Sequence, residues 1–404
     1  MTTAVISVYK VASFPDGGGH FWVYLQYALG LRRLGCDVYW LEQLRPARDP
    51  ERQAYVISTF QDRMKRFGFE GRTLLYTLDR EPRFIGFTWP EAEAVLRRAD
   101  VLLNFHYAID PRLLGCARRT ALVDIDPGLL QFWISTGQLN VPPHDCYLTT
   151  GETVGTPAAR FSDCGLQWTH IHPPVCLDLW PFTYDARSEA FTTVSSWSSA
   201  SWLKVNRNGQ TVLVDNTKRV SFLDFVDLPR HTSQPLELAL YLLDRDPDGP
   251  ARRKQAVQDA DDRARLERHG WRVRDSREVT GSPTAYRRYI QRSRGEFSAA
   301  KPSCMGFQNA WVSDRTVSYL ASGKPAVVQD TGPSSYLPDG QGMFRFTSLA
   351  EAVEALEKIN SDYARHCRAA REIAETHFDA RRVLETALNA ALSTQPAAVQ
   401  RVGA

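Results

Sequence analysis

The clearest fold signal in this chain is the stretch WVSDRTVSYLASGKPAVV, residues 311–328. Ser313 is suited to be a helix N-cap, because its hydroxyl can accept a hydrogen bond from a free amide of the first turn. The helical pattern that follows stops at Gly323, and Pro325 comes shortly after it, which is the usual chemistry of a helix C-terminus. A short apolar run of strand type, 326–330, comes next. The stretch therefore predicts a helix followed directly by a buried strand.

The first forty residues predict a strand–helix–strand unit. A strand-like run, 4–9, is followed by the turn-rich loop FPDGGGH, 14–20, a helical pattern at 21–34 and a second strand, 38–41. Units of this size form right-handed crossovers in parallel sheets. Further runs of buried-strand type are residues 101–105, 120–124, 146–150 and 190–194. The pattern predicts an α/β chain with two Rossmann-like halves: a domain over 1–185, a domain over 186–380, and a C-terminal helix over 381–404 that packs back toward the first domain and ends in a loose tail.

Composition narrows the class of protein. The chain has 404 residues, with 49 basic and 46 acidic side chains and a net charge of +3. This near-balance argues against a dedicated nucleic-acid binder. No apolar run approaches the roughly 20 residues of a membrane span, and residues 1–11 lack the layout of a signal peptide. The seven cysteines are scattered and form no C-x-x-C pair, which favours reduced thiols. We therefore expect a cytoplasmic protein without a membrane segment.

The glycine-rich loop carries the catalytic candidates of the first half. Gly18 and Gly19 can let a ligand approach the backbone amides at a helix N-terminus, so they are predicted to contact the donor. His20 follows them, and an imidazole with an ordinary pKa of about 6.5 suits proton transfer at neutral pH. His20 and Asp16 are the predicted catalytic residues. The alternatives are a strand-to-helix turn without a ligand and a histidine with only a structural role.

Two further residues of the first half are predicted to contact the acceptor. They are His106 and Asp126, each of which follows a predicted strand. Ligands of parallel α/β sheets bind outside the carboxyl ends of the strands, where such residues lie. The alternatives are a histidine satisfied within the core or at its rim, and an aspartate that only ends a strand. Asp124-x-Asp126 is the one Asp-x-Asp pair of this half, and a strand end explains it better than a metal site, so no metal is expected.

The second half carries the predicted donor site. An arginine in the first turn of a helix offers a fixed positive charge beside oriented amides, which together can hold a diphosphate. Polar residues at the ends of strands are expected to face the same crevice. The predicted donor-binding residues of this half are Ser196, Ser313, Asp314, Arg315, Thr316, Asp330, Thr331 and Gly332. Two alternatives are that Asp314 is only a favourable acid in a first turn and that 330–332 is only a turn.

The stretch 311–328, with its core Leu-Ala-Ser-Gly-x-Pro-x-Val-Val at 320–328, resembles the C-terminal donor-binding motif of GT-B glycosyltransferases. The glycine-rich loop and the closing helices are similar to that architecture as well. The resemblance implies two facing Rossmann-like domains with a cleft between them. It also implies transfer of a sugar from a nucleoside-diphosphate donor, such as a UDP-sugar, to a small-molecule acceptor. The nucleotide would be held by the C-terminal domain and the acceptor by the N-terminal domain, without a metal or other cofactor. A bacterial enzyme of natural-product or spore-coat type is the nearest likeness.

One departure from the family pattern leaves the stereochemistry open. Retaining members of the related clan carry two glutamates eight positions apart, and this chain has Ala310 and Ser318 there. In an inverting enzyme, His20 would be the base; in a retaining one, it would contact the donor sugar. Two other functions also stay open: a sugar-nucleotide epimerase of the same fold, and a non-catalytic partner that only binds a sugar nucleotide.

Overall fold

The computed structural model of the chain describes residues 1–46, 49–198, 202–207, 210–243 and 250–393. The chain divides into two compact units, of which Leu177–Phe378 is the second. The first unit consists of Met1–Cys176 and the chain from Asp379 onward. The tail predicted to be loose after residue 393 lies outside the described residues.

The unit boundaries differ from the predicted domain limits at 185 and 380. Residues 177–185 belong with the second unit because their backbone is bonded there. The Thr183 amide donates to the Ser322 carbonyl at 3.0 Å, and Arg371 Nη1 donates to the Trp180 carbonyl at 2.7 Å. These long-range bonds cannot be read from the local sequence, so the prediction placed the first boundary too late.

The first unit is built around an eight-stranded sheet. In chain order its elements are β1 (Thr3–Val8), α1 (Gly18–Arg33), β2 (Asp37–Gln43), α2 (Pro50–Arg66), β3 (Thr73–Leu78), β4 (Pro82–Ile85), α3 (Trp89–Arg98), β5 (Val101–Asn104), α4 (Pro111–Leu114), β6 (Thr120–Asp124), α5 (Leu129–Ser135), β7 (Cys146–Thr149) and β8 (Trp168–His170). The spatial order is β4-β3-β2-β1-β5-β6-β7-β8, and every neighbouring pair is parallel except β3 and β4. Strands β5 and β6 are buried at every residue, as expected for central strands covered on both faces.

The second unit contains a six-stranded parallel sheet. Its elements are β9 (Phe191–Ser196), β10 (Trp202–Arg207), β11 (Gln210–Asp215), α6 (Lys218–Asp224), a 3-10 turn (Leu228–Arg230), β12 (Leu236–Tyr241), α7 (Pro250–Arg268), β13 (Arg272–Asp275), α8 (Ser276–Thr280), α9 (Pro283–Arg292), β14 (Gly295–Ser298), α10 (Pro302–Phe307), α11 (Asp314–Ala321), β15 (Ala326–Gln329), β16 (Met343–Phe346), α12 (Leu349–Ser361), α13 (Tyr363–Ile373) and a π-helical turn (Ala374–Phe378). The strand order is β13-β12-β9-β14-β15-β16, and β10 and β11 form a separate antiparallel hairpin. The core centres on Phe297, whose ring stacks on Phe346 with centroids 5.3 Å apart.

The last described helix, α14 (Ala380–Ser393), belongs to the first unit and packs against α1. The two helices approach closely at Gly30. A Cβ atom added there would lie 2.3 Å from Leu384 Cδ1 and 3.0 Å from Ala380 Cβ, so any larger residue would force α14 or its Leu384 side chain to shift. The Ala380 amide also donates to the Val175 carbonyl at 3.0 Å. Among the residues that the structure describes, no helix is both long and apolar enough to cross a bilayer.

Candidate functional site

The second unit has a recess at the carboxyl edge of its sheet, which we call the donor recess. Helix α11 borders this recess, and Ser313 is its N-cap. The Oγ of Ser313 accepts a hydrogen bond from the Arg315 amide at 3.2 Å. The capping prediction is therefore confirmed. The recess is lined by Lys218, Ser298, Ala299, Ala300, Trp311, Val312, Ser313, Arg315, Thr316, Val328, Gln329, Thr331, Leu337, Met343 and Arg345. It brings together four predicted donor-binding residues, Ser313, Arg315, Thr316 and Thr331, with two cations that the sequence reasoning did not select.

Arg315 has internal partners that the sequence did not predict. Its Nε donates to Glu296 Oε1 at 2.7 Å, and its Nη1 donates to the Val194 carbonyl at 3.0 Å. Its Nη2 donates to Ser298 Oγ. Glu296 is fully buried, so the pair is held deep in the unit and the charge of Arg315 is balanced there. Arg315 thus joins the ends of β9 and β14, and its contact with the donor stays a prediction.

Lys218 is the cation of the recess without a carboxylate partner. It is the first residue of α6 and is buried, and its Nζ donates to the Ala299 carbonyl. Burial, together with the nearby charge of Arg315, lowers the pKa of Lys218 to about 7. Among the described residues, no carboxylate forms an ion pair with it. A lysine in the first turn of a helix opposes the helix dipole, and burial opposes its charge. The position of Lys218 directly after Thr217, in the first turn of a helix, was the part of this conflict that the sequence shows, and we missed it.

Asp330, Thr331 and Gly332 lie just after β15, and of these Thr331 is part of the wall of the recess. Thr331 Oγ1 donates to the Trp311 carbonyl at 2.8 Å, which joins the end of β15 to the segment before α11. Asp330 pairs with Arg345 at 3.3 Å, and the Gly332 amide donates to Asp330 Oδ1 at 3.0 Å.

Four of the predicted donor-binding residues of this unit, Ser196, Asp314, Asp330 and Gly332, do not line the donor recess, and donor contacts of Asp330 and Gly332 stay a prediction. Ser196 is exposed at the end of β9. Asp314 lies in the first turn of α11, where burial raises the pKa of its carboxyl to about 6. Donor contacts of Ser196 and Asp314 stay a prediction.

The first unit has a larger cavity at the carboxyl edge of its own sheet, with a volume of about 580 Å³. We call it the aromatic cavity. Both predicted acceptor-binding residues, His106 and Asp126, are part of its wall. The complete wall is Tyr9, Tyr24, Gln43, Arg45, Phe105, His106, Tyr107, Ala108, Ile125, Asp126, Trp133, Gln138 and Leu139. The volume is within the range of about 300–1,000 Å³ that is typical of small-molecule sites.

His20 lies beside this cavity, in the first turn of α1. Its Nε2 is 2.8 Å from the Tyr9 carbonyl oxygen, and its ring contacts the ring of Tyr24 edge-on at 5.3 Å. A carbonyl can only accept, so Nε2 carries the proton and Nδ1 keeps its lone pair. Burial lowers the pKa of His20, which keeps the ring neutral near pH 7. The histidine is therefore in the protonation state and tautomer that a general base requires.

Packing against the Phe14 ring determines the shape of the loop before His20. A Cβ atom at Gly17 would lie 2.2 Å from the Phe14 ring, so this glycine is needed for the turn itself. Gly18 and Gly19 form the first turn of α1. Asp16 is half-buried, and its negative charge partly offsets the burial that lowers the pKa of Arg63. Contacts of Asp16, Gly18 and Gly19 with substrate stay a prediction.

Glu42 anchors the same loop from the end of β2. Its Oε1 accepts from the Ala12 amide at 2.7 Å, and its Oε2 accepts from Trp40 Nε1 at 3.0 Å. Burial raises the pKa of Glu42 to about 7. The sequence reasoning missed this role, although a glutamate closing a buried strand was the visible signal.

Asp124 shapes the loop that presents Asp126. Its carboxylate accepts from Gln131 Nε2 at 2.8 Å, Thr149 Oγ1 at 2.9 Å and the Asp126 amide at 3.0 Å. Burial raises its pKa to about 7. The Tyr107 hydroxyl lies 3.5 Å from Asp126 Oδ2. Asp124 therefore ends its strand structurally, as the sequence favoured. Within the described parts of the chain, no group of three or more His, Cys, Asp or Glu side chains is placed to hold a metal ion.

Comparison with known proteins shows the fold. No protein-family model and no curated protein sequence matches the chain. Among solved structures, an alpha-glucosyltransferase (AGT) in complex with UDP matches 96% of this chain and 99% of its own, with a TM-score of 0.60 and 10% identity. Alr3699/HepE of Anabaena, in complex with UDP and glucose, gives 0.56 and 12% over 96% and 99%. AviGT4, a glycosyltransferase involved in avilamycin A biosynthesis, gives 0.51 and 13% over 96% of both chains. The predicted fold, that of GT-B glycosyltransferases with two Rossmann-like domains, is confirmed.

Proposed function

We propose that this chain is a glycosyltransferase that moves a sugar from a UDP-sugar to a hydroxyl group of a small-molecule acceptor. Lys218 carries the proposal: it is a buried cation at the carboxyl edge of a parallel sheet, and no carboxylate of the described residues is paired with it. A nucleoside diphosphate supplies the negative charge that would offset its burial. The fold supports the same class, and two of the three structural neighbours described above are complexes with UDP.

The donor recess offers a diphosphate several kinds of contact. Its enclosed part is only about 30 Å³, room for about one water or one phosphate oxygen. The nucleotide would thus lie over the recess with a phosphate oxygen directed inward. The first turn of α11 adds oriented amide dipoles there, although its Arg315 amide already donates to Ser313 Oγ. Arg315 keeps Ser298 and the end of β9 in place, and Lys218 supplies the charge.

The acceptor would occupy the aromatic cavity, and His20 would act on its hydroxyl group. In a direct displacement, Nδ1 of His20 takes the hydroxyl proton while the acceptor oxygen bonds to the anomeric carbon. The bond from that carbon to the diphosphate oxygen breaks, and the electron pair leaves with UDP. Lys218 and the α11 amides stabilise the charge that develops on the leaving diphosphate. This sequence inverts the anomeric centre. In a retaining reaction, the diphosphate oxygen would take the proton instead.

We test the proposal by measuring UDP release from UDP-glucose, with acceptor, with water alone and with EDTA. We expect acceptor-dependent release that EDTA leaves unchanged. If the sugar of UDP-glucose is converted to an epimer in a reaction without acceptor, the protein is an epimerase. Binding of UDP without any turnover would point to a non-catalytic partner, and the absence of UDP binding would contradict the proposal. The anomeric configuration of the product, read by NMR, decides between inversion and retention.

A further inference from the structure

We infer that the acceptor is a hydroxylated aromatic acid, a planar molecule with an anionic group at one end and a hydroxyl group at the other. The inference rests on the proposed function and names the substrate class of the aromatic cavity. Three features carry it: the rings of the wall, two cations on one side, and a carboxylate on the other.

The wall is made largely of aromatic rings. Tyr9 and His106 stack with centroids 5.0 Å apart and planes inclined by 29°. Tyr24 and Phe105 meet edge-on at 5.4 Å, and Tyr107 and Trp133 add a fifth and a sixth ring. Burial lowers the pKa of His106 to about 4, so its ring is neutral at physiological pH. Such a wall favours a flat ring, because offset and edge-on contacts are the preferred geometries of aromatic pairs.

Two cations lie beside Tyr9, after β1 and β2. Arg45 Nη2 donates to the Tyr9 hydroxyl at 3.2 Å, and Lys10 Nζ lies 4.7 Å from the centroid of the Tyr9 ring. Both charges contribute to the low pKa of His106, so both act on the cavity wall. Among the described residues, no carboxylate forms an ion pair with Lys10 or Arg45. Lys10 also has a φ of +59°, an unfavourable conformation for a residue with a Cβ atom.

The carboxylate lies on the other side of the cavity, after β6. Asp126 forms no ion pair with a described residue, and its Oδ2 accepts a hydrogen bond from the Tyr107 hydroxyl at 3.5 Å. In the sheet, β5 separates β1 from β6, so two strand spacings of about 4.8 Å place the two ends about 10 Å apart.

This polarity fits one kind of acceptor better than the others. An aromatic acid places its carboxylate against Arg45 and Lys10. Its ring lies between Tyr9, Phe105 and Trp133. Its hydroxyl group lies on the side of Asp126, whose charge also acts on His20, the proposed base. A neutral sugar would leave the two cations without a counter-charge. An aromatic amine would match Asp126 but would oppose the cations.

The test is calorimetric titration of the full chain with 4-hydroxycinnamate, with its methyl ester, with tyramine and with glucose. We expect 4-hydroxycinnamate to bind roughly tenfold more tightly than the ester, since hydrogen bonds between ions are about twice as strong as neutral ones. Arg45→Gln should reduce the preference for the acid over the ester several-fold, and Lys10 accounts for what remains. Arg45 is exposed, so this variant should fold. Arg97→Gln, which alters an exposed arginine paired with Glu93, is the matched control and should keep the preference.

The titrations decide whether the acceptor is a hydroxylated aromatic acid. Equal binding of acid and ester by the unaltered protein, tighter binding of glucose or tyramine, or no binding of any probe would overturn the inference. UDP is titrated in parallel, since this separates the two proposals. UDP binding without acid binding refutes only the acceptor class, whereas acid binding without UDP binding refutes the proposed function. Mass spectrometry of 4-hydroxycinnamate incubated with UDP-glucose then shows whether it is glycosylated.

Discussion

Replacing Lys218 with methionine should stabilise the protein and weaken UDP binding. The pKa of this lysine falls from 10.5 to about 7 because it is buried. A group with a lowered lysine pKa lowers the stability of the folded state at every pH below 10.5, since folding displaces its proton. At pH 8 the pH is 2.5 units below 10.5, which corresponds to about 3 kcal/mol at 1.4 kcal/mol per unit.

Methionine has no proton to lose, so the substitution removes this destabilisation of about 3 kcal/mol. It also leaves the Ala299 carbonyl without its donor, a loss of about 1 kcal/mol. The net gain is about 2 kcal/mol, or a Tm increase of roughly 4–8 °C for a unit of this size. The same change should weaken UDP binding by about 10- to 100-fold, because a charge-assisted hydrogen bond is lost. UDP binding by the unaltered protein at pH 8 should also take up a proton, since the diphosphate raises the pKa of Lys218 back toward its ordinary value.

Thermal unfolding and calorimetry in two buffers of different ionisation enthalpy measure these effects. The control is Lys358→Met, because Lys358 is exposed and pairs only with Glu354 within the same helix. It should change stability by no more than about 0.5 kcal/mol and leave UDP affinity unchanged. If Lys218→Met binds UDP as well as the unaltered protein does, or if UDP binding takes up no proton, the assignment of Lys218 to the diphosphate is refuted.

Three further substitutions test the roles of His20, Glu42 and Gly30. His20→Asn should lower kcat by about 10²- to 10⁴-fold with little change in UDP affinity, because it removes a proton acceptor; unchanged turnover would show that His20 is not the base. Glu42 has a raised pKa of about 7, so its contribution to stability falls as pH rises from 4.5 to 7, and Glu42→Gln should reduce that slope by up to about 1.4 kcal/mol per pH unit, as denaturant unfolding at several pH values would show. Gly30→Ala should destabilise the protein by about 1–3 kcal/mol through contact with Leu384, measured by urea unfolding against Gly306→Ala, where a Cβ meets no atom within 4 Å.

Local features of the fold were predictable from the sequence. The helix and strand of 311–328 follow from a cap, a helical pattern and a stop that lie within eighteen residues, and the structure has them as α11 and β15. The strands 101–105 and 120–124 were also visible, because buried parallel strands are continuous apolar runs. Such signals depend on neighbours in the sequence, and a single chain contains them in full.

The roles of individual site residues were less predictable, since they depend on partners far away in the chain. The ion pair of Arg315 was not predicted, because nothing near it in sequence shows that Glu296 receives its charge. Lys218 is separated from Ala299 by the whole of β12 to β14, so its burial could not be read locally. His106 and Asp126 could be placed at one edge, because the ends of parallel strands share an edge whatever their spacing in the chain.

The packing of α14 against α1 has a consequence for how the protein is made. The first unit needs its closing helix to cover the surface around Gly30, yet that helix is synthesised only after Leu177–Phe378. During translation the second unit is complete while the first still lacks a piece of its core. The nascent first unit must therefore persist with an exposed apolar strip for the time that about 200 residues take to emerge. A ribosome-associated chaperone that binds exposed apolar surface would bind the face of α1 around Gly30, until α14 is synthesised and covers it.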